Sequence, residues 1–319
     1  MKRKFFLLTL TLFLVLTSSA SLLACCADYM VIVPHTVPGI NPNNNGPVLR
    51  YRFGGTGPFT QLSSIPSSYF NDPFYATFNS VGEVFIANRH GIVNGQGSID
   101  RFKFDSEGNF THIEEITGNN LNVVSGVAFS PDGKLYASGY KNGKISRFKF
   151  TNATSLAEAD GSFNTGEYVN QDIAFSASGE MFTTHDSSRV NRWLIDPETG
   201  QVSSNGYFYV SGALRLHGLT FNRKGELFIA DGGAYKRVHR ILFNENNNPV
   251  YNGYISIDGS PRGVALSKCD ELFVTSLDGQ SGSGISRFIF DKNDNPVLRE
   301  FITYSRAVGD ISLFPLFPW

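Results

Sequence analysis

Four residues that lie far apart in the chain could act on one small molecule, because each begins a short apolar run of the same kind. They are two acids, one histidine and one arginine, namely Asp172, His217, Arg262 and Asp310. Such groups can satisfy one another as a buried polar network, and they can also present mixed charge to a small polar ligand. The residue types leave both interpretations open. Either one requires a fold that brings the four positions together.

Further polar side chains border the same apolar runs and vary from one run to the next. Besides the first four, they are Ser125, Gln171, His185, Asp186 and Asp231, together with His35, Asn88, Arg89, His90 and Asp278. We predict a ligand-binding set of Ser125, Gln171, Asp172, His185, Asp186, His217, Asp231, Arg262 and Asp310. The sequence assigns no catalytic residue and no metal ligand within this set.

Two common kinds of catalytic site are not indicated by the sequence. It contains no Gly-x-Ser-x-Gly motif, which is typical of serine hydrolases. It also contains no His-x-x-x-His or Cys-x-x-Cys spacing, which is typical of zinc sites. His112 and His239 fall within predicted outer strands, and we interpret both as structural residues.

A unit that recurs along the chain predicts the architecture. Its most regular marker is an arginine in a strand-like run, repeated 45 to 51 residues apart. The six arginines are Arg50, Arg101, Arg147, Arg192, Arg240 and Arg287. A second marker, an apolar run such as Gly126–Phe129, also occurs six times. Each unit reads as short strands joined by Gly-containing turns, and four antiparallel strands at this period are typical of a propeller blade.

We therefore predict an all-β, six-bladed β-propeller with four-stranded antiparallel blades, formed as one domain by residues 25–319. The last apolar run, Asp310–Leu313, has almost nothing after it. Near the N-terminus, Tyr29–Val33, Val48–Phe53 and Phe59–Ile65 have the pattern of second, third and fourth strands without a first. The C-terminal strand is expected to join these N-terminal strands and so remove free sheet edges. The first strands would lie innermost, around a channel.

The six repeated arginines are expected to be structural, because a residue present in every blade cannot mark one site. We predict that their stems pack between blades, with each guanidinium bonded to carbonyl groups or to a neighbouring acid. The predicted ligand-binding set differs from blade to blade. It is therefore the better candidate for function.

Three segments resemble a known group of propellers: Leu216–Phe221, Arg262–Leu266 and Gly126–Gly133 are similar to NHL-type repeats. They are also similar to the wider six-bladed set of regucalcin-like gluconolactonases, paraoxonase-like and strictosidine-synthase-like proteins. In the gluconolactonase-like members, Glu, Asn and Asp at the channel hold a divalent metal. The corresponding positions here are Ser125, Gln171, His217 and Arg262. The resemblance implies a lactonase, but Arg262 would repel a cation.

The N-terminus has the features of a secretory signal. Lys2, Arg3 and Lys4 precede the apolar run Phe5–Leu16, which is shorter than the roughly 20 residues of a membrane span. We predict a signal over residues 1–24, and lipidation of Cys25 because Leu22–Cys25 resembles a lipoprotein box. Residence in the cell envelope or secretion follows, with membrane contact only through a lipid anchor or an uncleaved signal. Cys269 is interpreted as a lone surface thiol, with a bridge to Cys25 or Cys26 as the alternative.

The first functional hypothesis is a binding scaffold that recognises a protein, a glycan or a small polar ligand at the channel mouth. Three long loops, Pro34–Pro47, Asn88–Ser98 and Ser276–Gly284, would form a docking surface or be tolerated insertions. The alternative is a metal-dependent lactonase or hydrolase of the gluconolactonase-like type. No cofactor is predicted under the first hypothesis, and a divalent cation such as Ca²⁺ under the second. A net charge of −1 without a basic patch disfavours a nucleic-acid partner.

Overall fold

The computed structural model describes residues 28–34, 46–54, 57–90, 96–168, 170–304 and 309–315. Within them the chain forms four-stranded antiparallel sheets and one short 3₁₀ helix, Ser67–Tyr69. The all-β propeller built from four-stranded antiparallel blades is therefore confirmed. The predicted signal, Cys25 and Cys26, His35 and most of the first long loop lie outside the described residues. Among the described residues, no helix is long and apolar enough to cross a membrane.

The strands of the first half of the chain form three sheets. Three of the four strands of blade 1 are β1 (Asp28–Pro34), β2 (Val48–Gly54) and β3 (Thr60–Gln61). Blade 2 is β4 (Pro73–Phe78), β5 (Val84–Asn88), β6 (Ser98–Phe104) and β7 (Phe110–Ile116). Blade 3 is β8 (Val124–Phe129), β9 (Leu135–Gly139), β10 (Lys144–Lys149) and β11 (Glu158–Asn164).

The second half of the chain forms three more sheets and supplies the last strand of blade 1. Blade 4 is β12 (Asn170–Phe175), β13 (Met181–His185), β14 (Arg189–Ile195) and β15 (Val202–Tyr209). Blade 5 is β16 (Leu216–Phe221), β17 (Leu227–Asp231), β18 (Arg237–Phe243) and β19 (Pro249–Ser256). Blade 6 is β20 (Ser260–Leu266), β21 (Leu272–Gly279), β22 (Gly282–Phe290) and β23 (Pro296–Tyr304). The last strand, β24 (Ser312–Pro315), enters blade 1.

The sheet that contains both chain ends closes the ring. β24 pairs antiparallel with β1, with Tyr29 opposite Pro315 and Ile32 opposite Ser312. The innermost strands contact one another in the order β4, β8, β12, β16, β20 and β24, and β24 contacts β4 again. The ring is sealed by strand pairing, and the innermost strand of blade 1 comes from the far end of the chain.

The hydrophobic core lies between neighbouring blades. The second strands β5, β9, β13 and β17 are buried along their whole length, because a blade covers each of their faces. Between blades 2 and 3, for example, Phe85 packs edge-on against Phe129 and Phe150. Aromatic side chains fill this wide space, and their burial is the main stabilising contribution to each interface.

The repeated arginines join each blade to the next, as predicted. Each donates to a carbonyl in the turn between the third and fourth strands of the following blade. The pairs are Arg50–Gly108, Arg101–Ala153, Arg147–Gly200, Arg192–Asn247, Arg240–Asp294 and Arg287–Gly57. In four blades the same guanidinium also binds a Glu at the start of the second strand, at Glu83, Glu180, Glu226 and Glu271. The structural interpretation of these arginines is confirmed.

Two sequence predictions about blade 6 are wrong. The segment Ser276–Gly284 is not a long loop, because β21 and β22 continue through it as a hairpin in which Gly279 pairs with Gly282. Cys269 is not a lone thiol, because it is disulfide-bonded. It precedes Asp270, which takes the left-handed backbone conformation (φ 58°) that Gly82, Gly133, Gly179 and Gly225 take in other blades.

Candidate functional site

The inner strands reach one end of the channel with an irregular backbone. In blades 2 to 6 the pairing of the first strand with the second skips a residue near this end, for example between Asn170 and Ile173. Such bulges turn the backbone and re-aim side chains, and they are common beside active sites. We call this end of the channel the mouth. It carries the starts of the first strands and the ends of the second strands.

Hydroxyl groups on the second strands hold these irregular starts in place. Thr184 Oγ1 accepts from Asp172 N at 3.2 Å and donates to the carbonyl of His217 in the next blade at 2.5 Å. Thr275 makes the corresponding bonds with Gly263 N at 2.8 Å and Gly309 O at 2.7 Å. Ser138 receives the N–H of Gly126 at 2.7 Å. A buried hydroxyl with both bonds made fixes the position of two neighbouring strands at once.

Asp172 and Asp310 form the floor of the mouth, on blades that lie opposite each other in the ring. Asp172 Oδ2 accepts from Leu219 N at 3.1 Å, and Asp310 Oδ2 accepts from Ala76 N at 3.5 Å. Each carboxyl group thus reaches the next blade through a backbone amide, rather than through Arg262 or His217. Below them the inner strands enclose an axial cavity of about 300 Å³.

Glycines make room for these two carboxyl groups. A Cβ at Gly126 would stand 2.7 Å from Asp172 Oδ1, and one at Gly263 would collide with Asp310 Oδ1. Asp172 therefore touches blades 3 and 5, and Asp310 touches blades 6 and 2. Together, the two acids contact the innermost strand of every blade except blades 4 and 1, to which they belong.

Both acids resist ionisation. Burial raises the pKa of Asp172 to about 8. Burial also raises the pKa of Asp310 well above its ordinary value, and the nearby charge of Asp172 raises it further. Two buried carboxylates that lack a cationic partner cannot both ionise cheaply. At neutral pH the floor of the mouth therefore retains protons.

His217 and Arg262 meet above this floor. Arg262 Nη1 lies 2.5 Å from His217 Nε2. Because a guanidinium can only donate, Nε2 accepts and the imidazole proton resides on Nδ1. Burial lowers the pKa of His217 well below its ordinary value, and the charges of Arg262, Arg215 and Arg89 lower it further. His217 is therefore a neutral imidazole that presents an N–H group.

Two further arginines surround this pair. The Arg89 guanidinium lies 3.3 Å from the centre of the Phe74 ring and 3.7 Å from Asp72. Burial lowers the pKa of Arg89, while the charge of Asp72 raises it. Arg215 is paired with Asp186, which raises the pKa of Arg215. The mouth thus gathers three guanidinium groups around one neutral histidine.

Tyr75 is influenced by both the acidic and the basic groups of the mouth. It stands at the first-strand position that Asp172 and Asp310 occupy in their own blades, and it is fully buried. Burial raises its pKa, the charges of Asp172 and Asp310 raise it further, and those of Arg89 and Arg262 oppose the rise. The phenol remains protonated at neutral pH and is a hydrogen-bond donor.

Several buried polar atoms of the mouth have no hydrogen-bond partner in the part of the chain that the structure describes. They are Tyr75 Oη, Arg89 Nε, Gln171 Oε1, His217 Nδ1 and Arg262 Nε. Four of the five are donors. A buried donor without a partner is costly, so a cluster of them at one channel end is suited to receive oxygen atoms of a ligand.

The structure separates the predicted ligand-binding set into two groups. Gln171, Asp172, Asp186, His217, Arg262 and Asp310 lie at the mouth. The other three have structural contacts. Ser125 donates to Asn170 O at 2.7 Å, and His185 lies 3.4 Å from Thr183 Oγ1. Asp231 accepts from Arg215 N at 2.9 Å and from Gly233 N at 3.0 Å, and so positions the segment that carries Arg215.

Sequence reasoning missed three contributors to the mouth: Asp72, Tyr75 and Arg215. Tyr75 could have been found, because it replaces the Gly or Asp of the other first-strand markers. Arg215 lies two residues before His217 but outside the repeat pattern. Asp72 precedes its strand in a left-handed conformation (φ 60°), which no pattern in the sequence indicates.

The expected divalent metal does not fit these residues. Within the described ranges, no group of three or more His, Cys, Asp or Glu side chains could hold a metal ion. The mouth instead collects Arg89, Arg215 and Arg262, whose charges oppose a cation. His112 and His239 also serve other purposes, since they bind Asp100 at 2.7 Å and Tyr251 at 3.2 Å.

Comparison with known proteins finds similarity in structure alone. No family model and no curated protein matches the sequence. A putative 6-phosphogluconolactonase from Bacteroides uniformis is similar with a TM-score of 0.66 and 14% identity, over 91% of this chain and 100% of that chain. The periplasmic gluconolactonase of Pseudomonas aeruginosa gives a TM-score of 0.63 and 17% identity, over 89% of this chain and 85% of that chain.

A third similar structure has a different activity in its name. It is a catalytically inactive virginiamycin B lyase from Staphylococcus aureus, with a TM-score of 0.53 and 15% identity, over 85% of this chain and 88% of that chain. At such identities the likeness shows the β-propeller fold alone. The resemblance to NHL-type repeats and regucalcin-like proteins stays a prediction.

Proposed function

We propose that this protein is a lactonase-type hydrolase that opens an anionic lactone at the arginine-lined mouth without a metal ion. The observation that carries the proposal is the cluster of buried, unpartnered donors on Arg89, His217 and Arg262. Two of the structural neighbours are named as lactonases, which supports this reaction class. The expected metal-dependent variant is not adopted, because the donor set does not fit a cation.

The donors match the charge that develops during lactone opening. When water adds to the lactone carbonyl, negative charge collects on the carbonyl oxygen. His217 Nδ1–H and Arg262 Nε–H stabilise that oxygen, and Arg89 and Arg215 bind the anionic substituent of the substrate. His217 acts here as a neutral donor, since burial and then the surrounding guanidinium charges keep its pKa low.

Asp72 is suited to act as the general base that takes a proton from the attacking water. Burial raises its pKa to about 6, with Arg89 opposing the rise, so it is mostly ionised at neutral pH. Both of its carboxylate oxygens are buried without a hydrogen-bond partner in the described part of the chain. Asp72 accepts a proton from the attacking water. The carbonyl carbon to ring oxygen bond then breaks, and the proton passes to the ring oxygen to complete the hydroxy acid.

The test compares three lactones: neutral gluconolactone, a carboxylate-bearing glucarolactone and 6-phosphogluconolactone. We expect kcat/KM to be at least ~10-fold higher for an anionic lactone than for the neutral one, and to be unchanged by EDTA. Arg262→Met and Asp72→Asn should lower it, whereas Arg299→Met, an exposed arginine on β23, should not. Activity should fall below about pH 6, as Asp72 becomes protonated.

Three outcomes contradict the proposal. Loss of activity in EDTA that returns with a divalent cation would favour the metal-dependent alternative. Equal turnover of neutral and anionic lactones would remove the role of the arginines. Binding of the anions without turnover would favour the non-catalytic scaffold, with the mouth as its ligand site.

We also propose that the protein is exported to the cell envelope or secreted. The basic and apolar N-terminal segments support this location, and so does the disulfide at Cys269, because disulfides persist in oxidising compartments. Mass spectrometry of the mature chain tests the signal over residues 1–24 and the lipid on Cys25. A mature chain that retains Met1 in the cytoplasm would contradict export.

A further inference from the structure

Blades 4 and 5 each carry an exposed tyrosine stacked with an arginine on the outer side of the ring. The Arg189 guanidinium lies 4.0 Å from the centre of the Tyr207 ring, and that of Arg237 lies 4.0 Å from Tyr254. The two tyrosines remain 54% and 46% exposed. An aromatic ring held face-on by a cation while half open to solvent is a typical recognition element.

The two stacks have the same construction. In the pairing of β14 with β15, Arg189 lies opposite Tyr209. Tyr207 is therefore two residues before the residue opposite Arg189. Arg237 pairs with Ser256, and Tyr254 again stands two residues before. The corresponding position at the start of the third strand holds Pro47, Ser98, Lys144 and Gly284 in the other blades. The fold therefore does not require the arginine, and its presence in two consecutive blades indicates another role.

The two stacks form one surface, which we call the Tyr–Arg surface: Arg189, Tyr207, Tyr209, Tyr235, Arg237 and Tyr254. Tyr209 packs against Tyr207 at 5.5 Å, and Tyr235 lies 4.8 Å from the Arg237 guanidinium. Tyr209 and Tyr235 are 64% and 54% exposed. A Cβ at Gly212, three residues after Tyr209, would stand 3.7 Å from Arg237 Nη1, so the surface is continuous between the blades.

The charge of this surface is only partly compensated. Glu167 pairs with Arg189 at 2.6 Å. Arg237 has no carboxylate within ion-pair distance among the residues that the structure describes. The surface thus repeats an exposed ring and a cation on adjacent blades. It matches a partner that repeats a flat apolar face and a negative charge.

We propose that the Tyr–Arg surface binds a carboxylate-bearing polysaccharide. The C–H faces of successive sugar rings lie on the tyrosines, and the uronate carboxylates pair with Arg237 and, in part, with Arg189. A neutral glycan would use only the rings, and a single acidic peptide side chain would use only one stack. The segment from Tyr209 to Arg215 leads from this surface to the mouth, so a chain held here would lie beside the candidate active site.

The test measures binding of polygalacturonate by calorimetry, with dextran as a neutral polymer and single-stranded DNA as a polyanion with flat bases. We expect affinity for polygalacturonate alone, weakened at least ~10-fold by Arg237→Met and by Tyr254→Ala, and weakened by 0.5 M salt. Arg299→Met, an exposed arginine on the outer strand of blade 6, should bind as the unaltered protein does. Thermal unfolding of each variant checks that the surface substitutions leave the fold intact.

Four results would overturn the proposal. They are no binding of polygalacturonate, equal binding of dextran, tighter binding of DNA, or affinity unchanged in both surface variants. Lactone turnover does not enter this test, so its outcome is independent of the proposed hydrolase activity.

Discussion

Replacing Asp172 by Asn should stabilise the protein at neutral pH. Asp172 is 6% exposed and has no cationic partner in the part of the chain that the structure describes, and burial raises its pKa to about 8. In the unfolded chain the pKa of an aspartate is about 3.9. The folded state therefore binds a proton more tightly than the unfolded state does. The contribution of Asp172 to stability is therefore complete below about pH 4 and is lost as the pH rises toward 8.

The size of the effect follows from this difference. Each pH unit between the two pKa values costs about 1.4 kcal/mol, so at pH 7 the cost reaches ~4 kcal/mol as an upper limit. Asn at position 172 keeps an acceptor for Leu219 N, which now lies 3.1 Å from the carboxylate oxygen. Asp172→Asn should thus raise the free energy of unfolding by ~2 to 4 kcal/mol at pH 7. The gain should vanish near pH 4.

Urea denaturation at pH 4, 5.5, 7 and 8.5 measures the free energy of unfolding of both proteins. Tryptophan fluorescence detects the transition, because Trp193 is buried in blade 4. Glu245→Gln, an exposed acid in the turn between β18 and β19, is the matched control and should have no such pH dependence. A variant less stable than the unaltered protein at pH 8.5, or a stability difference that does not change with pH, would refute the reasoning.

Three further predictions concern other parts of the molecule. Arg262→Met should raise the pKa of His217, because the charge of Arg262 lowers it most after burial; an NMR titration that shows no rise would contradict the pairing. Glu226→Gln should lower the free energy of unfolding by ~1 to 3 kcal/mol, since it weakens two bonds to the buried Arg240, and an unchanged urea midpoint would contradict this. Deleting residues 310–319 should destabilise the ring more than Glu226→Gln does, because it removes β24 from β1; equal thermal stability of the two variants would argue against closure by strand pairing.

Much of the fold could be predicted from the sequence because a blade is a local unit. In blades 2 to 6 each strand pairs with its neighbour in the chain, so apolar runs and Gly-containing turns indicate the pairing directly. The structural role of the recurring arginines could be predicted for the same reason, because their repetition implies that each blade makes the same contact. The exceptions, Ser276–Gly284 and Cys269, lie where one blade departs from the unit and the repeat gives no guidance.

The sequence by itself indicated most of the residues that reach the mouth, because the first strands start there, although it did not indicate Asp72, Tyr75 or Arg215. It could not determine what those residues contact. Asp172 and Asp310 bind backbone amides of neighbouring blades instead of Arg262 and His217, and this depends on space left by Gly126 and Gly263 across the interface. The electrostatic character of the site also arises only in three dimensions. The pKa of His217 falls because the side chain is buried and because arginines from three different blades converge around it, and no spacing along the chain encodes either condition.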